Sequence, residues 1–268
     1  MSFLERHAVS LNELLIAPLV FRGSTSLLAG LPHATAAGMR DLAEFAGHGA
    51  GAIRTALSRL RSSGAIEAFD DEGATRYRLG APGSSIGLAV QQRFARPEGY
   101  VLAIFSFEAG DTRERQVVRD ALKSYGFQKL AQNVYINGQI DTAPIEEAVA
   151  AHGLSQHLFL FRCPDQSDPS LDRRLVALFD VKERARVLAR FERELEGYLH
   201  APGIDGDEAA RRWLAAGPAH YRVTFVDEPA LPARCLPADY PLERLIPYAE
   251  PTGKRARAIV DYWRRVHA

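Results

Sequence analysis

The densest candidate chemistry lies in AGAIRTALSRLRSSGAI at 50–66. Arg54, Arg59 and Arg61 are interleaved there with Gly51, Thr55 and Ser58, and no acid intervenes. Read as a helix, the segment places Ile53, Leu57 and Leu60 at i, i+4 and i+7 as an inward stripe, which leaves the polar set on the opposite face. Small residues near the start let a phosphate approach the backbone. Arg54 and Ser58 are placed to reach base edges, and an arginine fork matches the two major-groove acceptors of guanine. Arg59 and Arg61 suit phosphates, which fix register rather than sequence.

Such a helix needs elements that hold it in place. Residues 39–46 predict a short helix with Leu42 and Phe45 facing inward, and Gly47-His48-Gly49 supplies the corner. Ser63-Gly64 closes the second helix, with Gly64 suited to a left-handed cap. Residues 66–69 and 75–79 alternate around DDEG at 70–73, the pattern of a hairpin. Helix, glycine corner, basic helix, glycine cap and hairpin in that order predict a winged helix-turn-helix over residues 1–85 that enters double-stranded DNA. Arg76 and Arg78, on one face of a hairpin strand, join the predicted DNA-binding set. An arginine-rich helix face taken alone is also what solvated surface looks like; the ordered combination carries the reading. Residues 1–85 hold eight basic and eight acidic side chains, and Asp70, Asp71 and Glu72 at the hairpin tip repel phosphate. Affinity is therefore expected from the basic helix and from dimerisation, with the tip held away from DNA.

The rest of the chain reads as further domains. A Gly/Pro/Ser stretch at 80–85 marks a boundary, and 86–98 predicts a helical linker ended by Pro97. Residues 99–165 alternate strand (100–107), helix (112–125), strand (134–136), helix (144–152) and strand (157–161), a split βαβ pattern of ferredoxin-like type. Residues 166–268 predict a mainly helical C-terminal domain, with apolar spacing over 171–199, a helix at 207–216, a proline-punctuated stretch at 227–241 and a basic end at 254–267. The fold class expected is α+β.

The composition narrows the function classes. The 268 residues balance 33 basic against 33 acidic side chains, so any nucleic-acid binding must come from local placement. Cys163 and Cys235 stand far apart, with neither a disulfide framework nor zinc spacing. No leader pattern opens the chain, and no apolar run approaches the roughly 20 residues of a membrane span, so a cytoplasmic protein is expected. His152 and His157 miss the i, i+4 spacing of helical zinc ligands. His157 with Cys163 would be a dyad without a third group. A metal-dependent nuclease is the alternative reading of 99–165, but its first strand ends in Ser106-Phe107, and Glu108 alone is a poor ligand set. No enzyme activity, metal or cofactor is expected.

Several segments together resemble the PaaX family, repressors of phenylacetate-catabolism operons. GAIRTALSRLRSSGAIE at 51–67 is similar to that family's recognition helix and the strand that follows it. VLAIFSF at 101–107 and SYGFQKLAQNVYI at 124–136 resemble its central domain, and VKERARVLARFERELEGYL at 181–199 its C-terminal helix. DEPALPARCLPADYP at 227–241 resembles its late proline-rich signature, the most specific piece. The resemblance implies a winged helix, a ferredoxin-like domain similar to the small CRISPR-associated endonucleases, and a helical C-terminal domain. It implies homodimeric operator binding released by an aryl-CoA thioester such as phenylacetyl-CoA. The chain departs from the family at Tyr100 and Tyr135, where tryptophan is usual, at Asn133, where glycine is common, and in its acidic hairpin tip. An acyl-CoA carries phosphates, so Arg162, Arg173 and Arg174, near the junction of the central and C-terminal domains, are the candidate effector residues.

Overall fold

The computed structural model describes residues 2–24, 26–28, 30–80, 99–108, 110–138, 141–164, 168–204, 206–249 and 251–268. The expected boundary at 81–85 and the expected helical linker lie outside the described residues. The fold is α+β, mostly helical, with a two-stranded and a four-stranded antiparallel sheet. No helix among the described residues is long and apolar enough to cross a membrane. The chain divides into two compact units, one from residues 1–91, 189–224 and 241–268, the other from 92–188 and 225–240.

The first unit opens with α1 (Phe3–Arg6) and α2 (Leu11–Ser24). Both start in reciprocal caps: Ser2 with Glu5, and Ser10 with Glu13. Then come α3 (Ala36–Phe45), α4 (Ala50–Ser62), and the hairpin of β1 (Ile66–Asp71) and β2 (Ala74–Leu79). Thr35 caps α3, its Oγ1 accepting the Gly38 N–H at 3.2 Å. The hairpin is longer than the sequence suggests, with only Glu72-Gly73 left as its loop. Both take positive φ, 54° and 84°, the requirement of a twisted two-residue turn. Ala34 pairs with Tyr77, which adds a one-residue third strand beside β2.

The second unit holds the four-stranded sheet. Its strands are β3 (Gly99–Phe105), β4 (Gln128–Ala131), β5 (Val134–Gly138) and β6 (Leu158–Pro164), in the order β4-β5-β3-β6, all antiparallel. Helices α5 (Thr112–Ser124) and α6 (Ala143–Ala150) follow β3 and β5. One sheet face presents Val101, Ala103, Phe105 and Tyr135 to Val118, Leu122, Ile145 and Val149 of these helices. β4 was not expected. Its QKLA has no strand signature, and it forms because the Gln132-Asn133 turn folds it back onto β5. Asn133 sits there at φ 57°, a conformation glycine and asparagine tolerate best.

The stretch expected as one C-terminal domain, 166–268, is instead shared between the units. Its apolar spacing over 171–199 is also broken into α7 (Pro169–Leu178) and α8 (Val181–Leu199), with Asp180 at φ 45° between them. In the first unit, α9 (Gly206–Tyr221) and α11 (Gly253–Val266) pack on each other and on α3, and α9 also packs on α2; the short α10 (Leu242–Leu245) lies between them in sequence. In the second, the proline-rich stretch returns to the sheet and α7. Gly138 lies so close to the Ala230 carbonyl that a Cβ would stand 1.3 Å from its oxygen. Arg234 grips Asp172 with two hydrogen bonds, at 2.8 and 3.0 Å, and donates to the Tyr100 hydroxyl at 3.0 Å. The Arg184 guanidinium and the Tyr240 hydroxyl both donate to Glu228 at 3.1 Å. These ties make the proline-rich stretch a clasp of this unit.

Candidate nucleic-acid interface

Alanine and leucine favour helix over 50–62, and the two glycines at its ends explain its limits. Gly47 turns the chain out of α3 at φ 89°, and Gly64 ends the second helix at φ 71°. α4 packs on α2, α3 and β1 through Ile53, Ala56 and Leu60, all buried. Ala56 takes the place the sequence reading gave to Leu57, which is only half-buried; the small side chain lets α4 approach α2.

The opposite face of α4 is open. Gly51, Arg54, Thr55, Ser58, Arg59 and Arg61 are all exposed. Two turns separate Arg54 from Arg61, so both lie on one flank, and the helical period puts Arg59 on the other. Between the flanks runs a low ridge of Gly51, Thr55, Ser58 and Ser62. Thr55 and Ser62 spend their hydroxyl protons on the helix itself, donating to the Gly51 and Arg59 carbonyls at 3.0 Å. The Ser58 hydroxyl and the Arg54, Arg59 and Arg61 guanidinium groups have no partner among the described residues. Beside Arg59 a shallow groove runs between α4 and the first turn of α2, lined by Leu11, Asn12, Gly51, Ala52, Thr55, Ala56 and Arg59.

The hairpin arginines stand apart from this set. The Arg76 side chain is 12 % exposed, lies 3.5 Å from Asp71, and donates to the His267 carbonyl. Arg76 is therefore a structural tie, not the free cation expected from the sequence. Arg78 is exposed but paired with Glu67 at 3.1 Å, and it lies over the Phe69 ring. At the tip, Asp70 accepts the Gly73 N–H at 3.1 Å. Two of the hairpin's acids thus neutralise its two arginines, whereas three uncompensated cations sit on α4.

Arg162 on β6 and Arg173 and Arg174 on α7 are exposed and unpartnered among the described residues. Sequence reasoning missed Arg234, and nothing in the stretch 232–237 marks it as the partner of Asp172. That bond holds the Asp172 carboxyl below its ordinary range, while burial, with Asp172 beside it, pushes the Cys235 thiol up to about 11. Neither cysteine is in a disulfide. His157 immediately precedes β6 and Cys163 lies at its sixth residue, about 20 Å along an extended chain, so they form no dyad. The His157 ring stacks on Phe107, and its Nδ1 meets the Ser106 carbonyl at 2.9 Å. Glu108 is exposed; its backbone binds Asp111 and Arg115. Among the described residues, no three His, Cys, Asp or Glu side chains group as a metal site.

No family model matches the chain, and no curated protein does. Among solved structures, the chain is similar to the Mycobacterium tuberculosis protein Rv0674, described as uncharacterized, at 20 % identity and a TM-score of 0.60, over 97 % of this chain and 100 % of that one.

Proposed function

We propose that the chain is a DNA-binding transcriptional regulator acting in the cytoplasm, a homodimeric repressor of a catabolic operon released by an aryl-CoA or related acyl-CoA. It is read as a binding protein and not an enzyme. One observation carries this: the free face of α4 has unpaired arginines on both flanks, a small polar ridge between them, and no acid. A B-DNA major groove is about 12 Å wide and admits one helix, with a phosphate strand along each side. Cations on the two flanks meet those strands, and Arg54 and Ser58 meet base edges.

The element order supports a winged helix: α2, the Ala34 bridge, α3, α4, β1, β2. The βαββαβ order, with strands arranged β4-β5-β3-β6, supports the ferredoxin-like reading of the second unit. Dimerisation finds support in the edge strand β6, where Phe159 and Phe161 are 49 % and 50 % exposed on the face that carries Ile104. Uncovered apolar edge strands invite pairing. A two-fold dimer would set two α4 helices into successive major grooves of a partly palindromic operator, about 34 Å apart. The repressor role and the acyl-CoA effector rest on the resemblance to the PaaX family.

The test is duplex binding by the full chain to the region upstream of its own coding sequence, against a scrambled duplex, at rising salt. Tighter binding to the upstream region, falling steeply with salt, is expected. Equal and negligible binding to both would overturn the reading.

A further inference from the structure

We propose that the groove between α2 and α4 is a phosphate subsite for the DNA backbone, in which Asn12 works opposite Arg59. The inference rests on α4 being the DNA-facing helix and deepens that reading.

The groove has two different walls. One is the α4 flank of Gly51, Thr55 and Arg59; the other is the first turn of α2, Leu11 and Asn12; Ala52 and Ala56 keep it shallow. Its lining holds one cation and no anion, so its charge suits an anionic group, and its place beside the open face of α4 selects a backbone phosphodiester as that group. The nearest acid in sequence, Glu13, is already engaged. It accepts the Ser10 N–H at 2.7 Å and pairs with Arg222, and those bonds hold its carboxyl below the ordinary range against the opposing effect of burial. Asn12 is exposed, with no side-chain partner among the described residues. Its carboxamide N–H is a neutral donor, which orients a phosphate oxygen without adding charge. The assignment also divides the arginines. Arg59 serves the strand on the α2 side, Arg61 lies toward the other strand, and Arg54 is left to the base edges.

The test compares the wild-type chain with Asn12→Ala, Arg59→Ala, the double variant and Arg54→Ala. Each is titrated with the upstream duplex and a scrambled duplex over a range of salt. Asn12→Ala is expected to lose about tenfold on both duplexes alike, without changing the salt dependence. Arg59→Ala loses affinity on both and lowers the salt slope by about one. The double variant loses less than the product of the two single losses, because both groups hold one phosphate. If the wild type binds, Arg54→Ala relaxes sequence preference and Asn12→Ala binds as the wild type does, the subsite is overturned and the reading of α4 stands. If the wild type binds neither duplex, both fall.

Discussion

The His267 imidazole closes the N-terminus of α3: its Nδ1 accepts the Thr35 N–H at 3.0 Å, across 232 positions of sequence. Its ring packs beside Trp263, and Thr35 donates its hydroxyl proton to the Val266 carbonyl at 3.1 Å. Trp263 donates to the Pro32 carbonyl at 2.8 Å and Tyr262 to Asp41 at 2.6 Å, so α11 is tied along the start of α3. Through the His267 carbonyl the same residue also holds Arg76 of the hairpin. The basic end at 254–267 is thus a buttress for the helix pair and the hairpin.

Acid should weaken the fold as pH falls from about 6.5 toward 4. Burial lowers the His267 and His220 imidazoles to about 4 in the folded chain, from 6.5. The unfolded imidazoles take up protons as pH falls below about 6.5, and the folded ones resist until about 4, so stability falls through that window and is complete above it. At pH 5 the loss is on the order of 2 kcal/mol per histidine. Urea unfolding at pH 7.5 and pH 5 measures it, and a His267→Gln variant should show a shallower pH dependence. Equal midpoints at the two pH values would mean these rings are not buried neutral.

Gly38→Ala should destabilise the first unit. A Cβ there would stand 2.0 Å from the His267 ring, so the ring must leave its place and release the Thr35 N–H. A loss of about 1–3 kcal/mol is expected from overpacking, read as a lower urea midpoint, together with faster hydrogen exchange at Thr35. Wild-type stability would contradict the close packing of α11 on α3.

How much of this was legible is uneven, and the reason is range. The α4 arginine face, the corner glycines and the hairpin are local patterns, written in periods of 3.6 and 2 and in backbone-permissive residues. The Arg76 tie, the His267 cap and the Arg234–Asp172 clasp join residues 62 to 232 positions apart, and no spacing rule reaches that far. Asp180 hid a helix break because it is neither glycine nor proline, and β4 hid a strand because its residues are polar. On the hairpin the sequence showed two arginines and four acids, but not which of them cancel.

Effector release offers a separate check. If an aryl-CoA loosens the regulator's hold on DNA, phenylacetyl-CoA should lower upstream-duplex affinity by about five- to 150-fold, and Arg173→Ala with Arg174→Ala should blunt that response while leaving effector-free binding unchanged. A full response in the double variant would remove these two residues from the effector site, and no response in the wild type would point to another ligand.

Everything in the functional reading depends on Arg54 entering a groove. The most direct measurement is the affinity of wild-type and Arg54→Ala chains for the upstream duplex and for a set of single-base variants of it. Loss of about 1–3 kcal/mol on the upstream duplex, with discrimination relaxed at one base pair, is predicted. Unchanged affinity and unchanged discrimination at every position would contradict it.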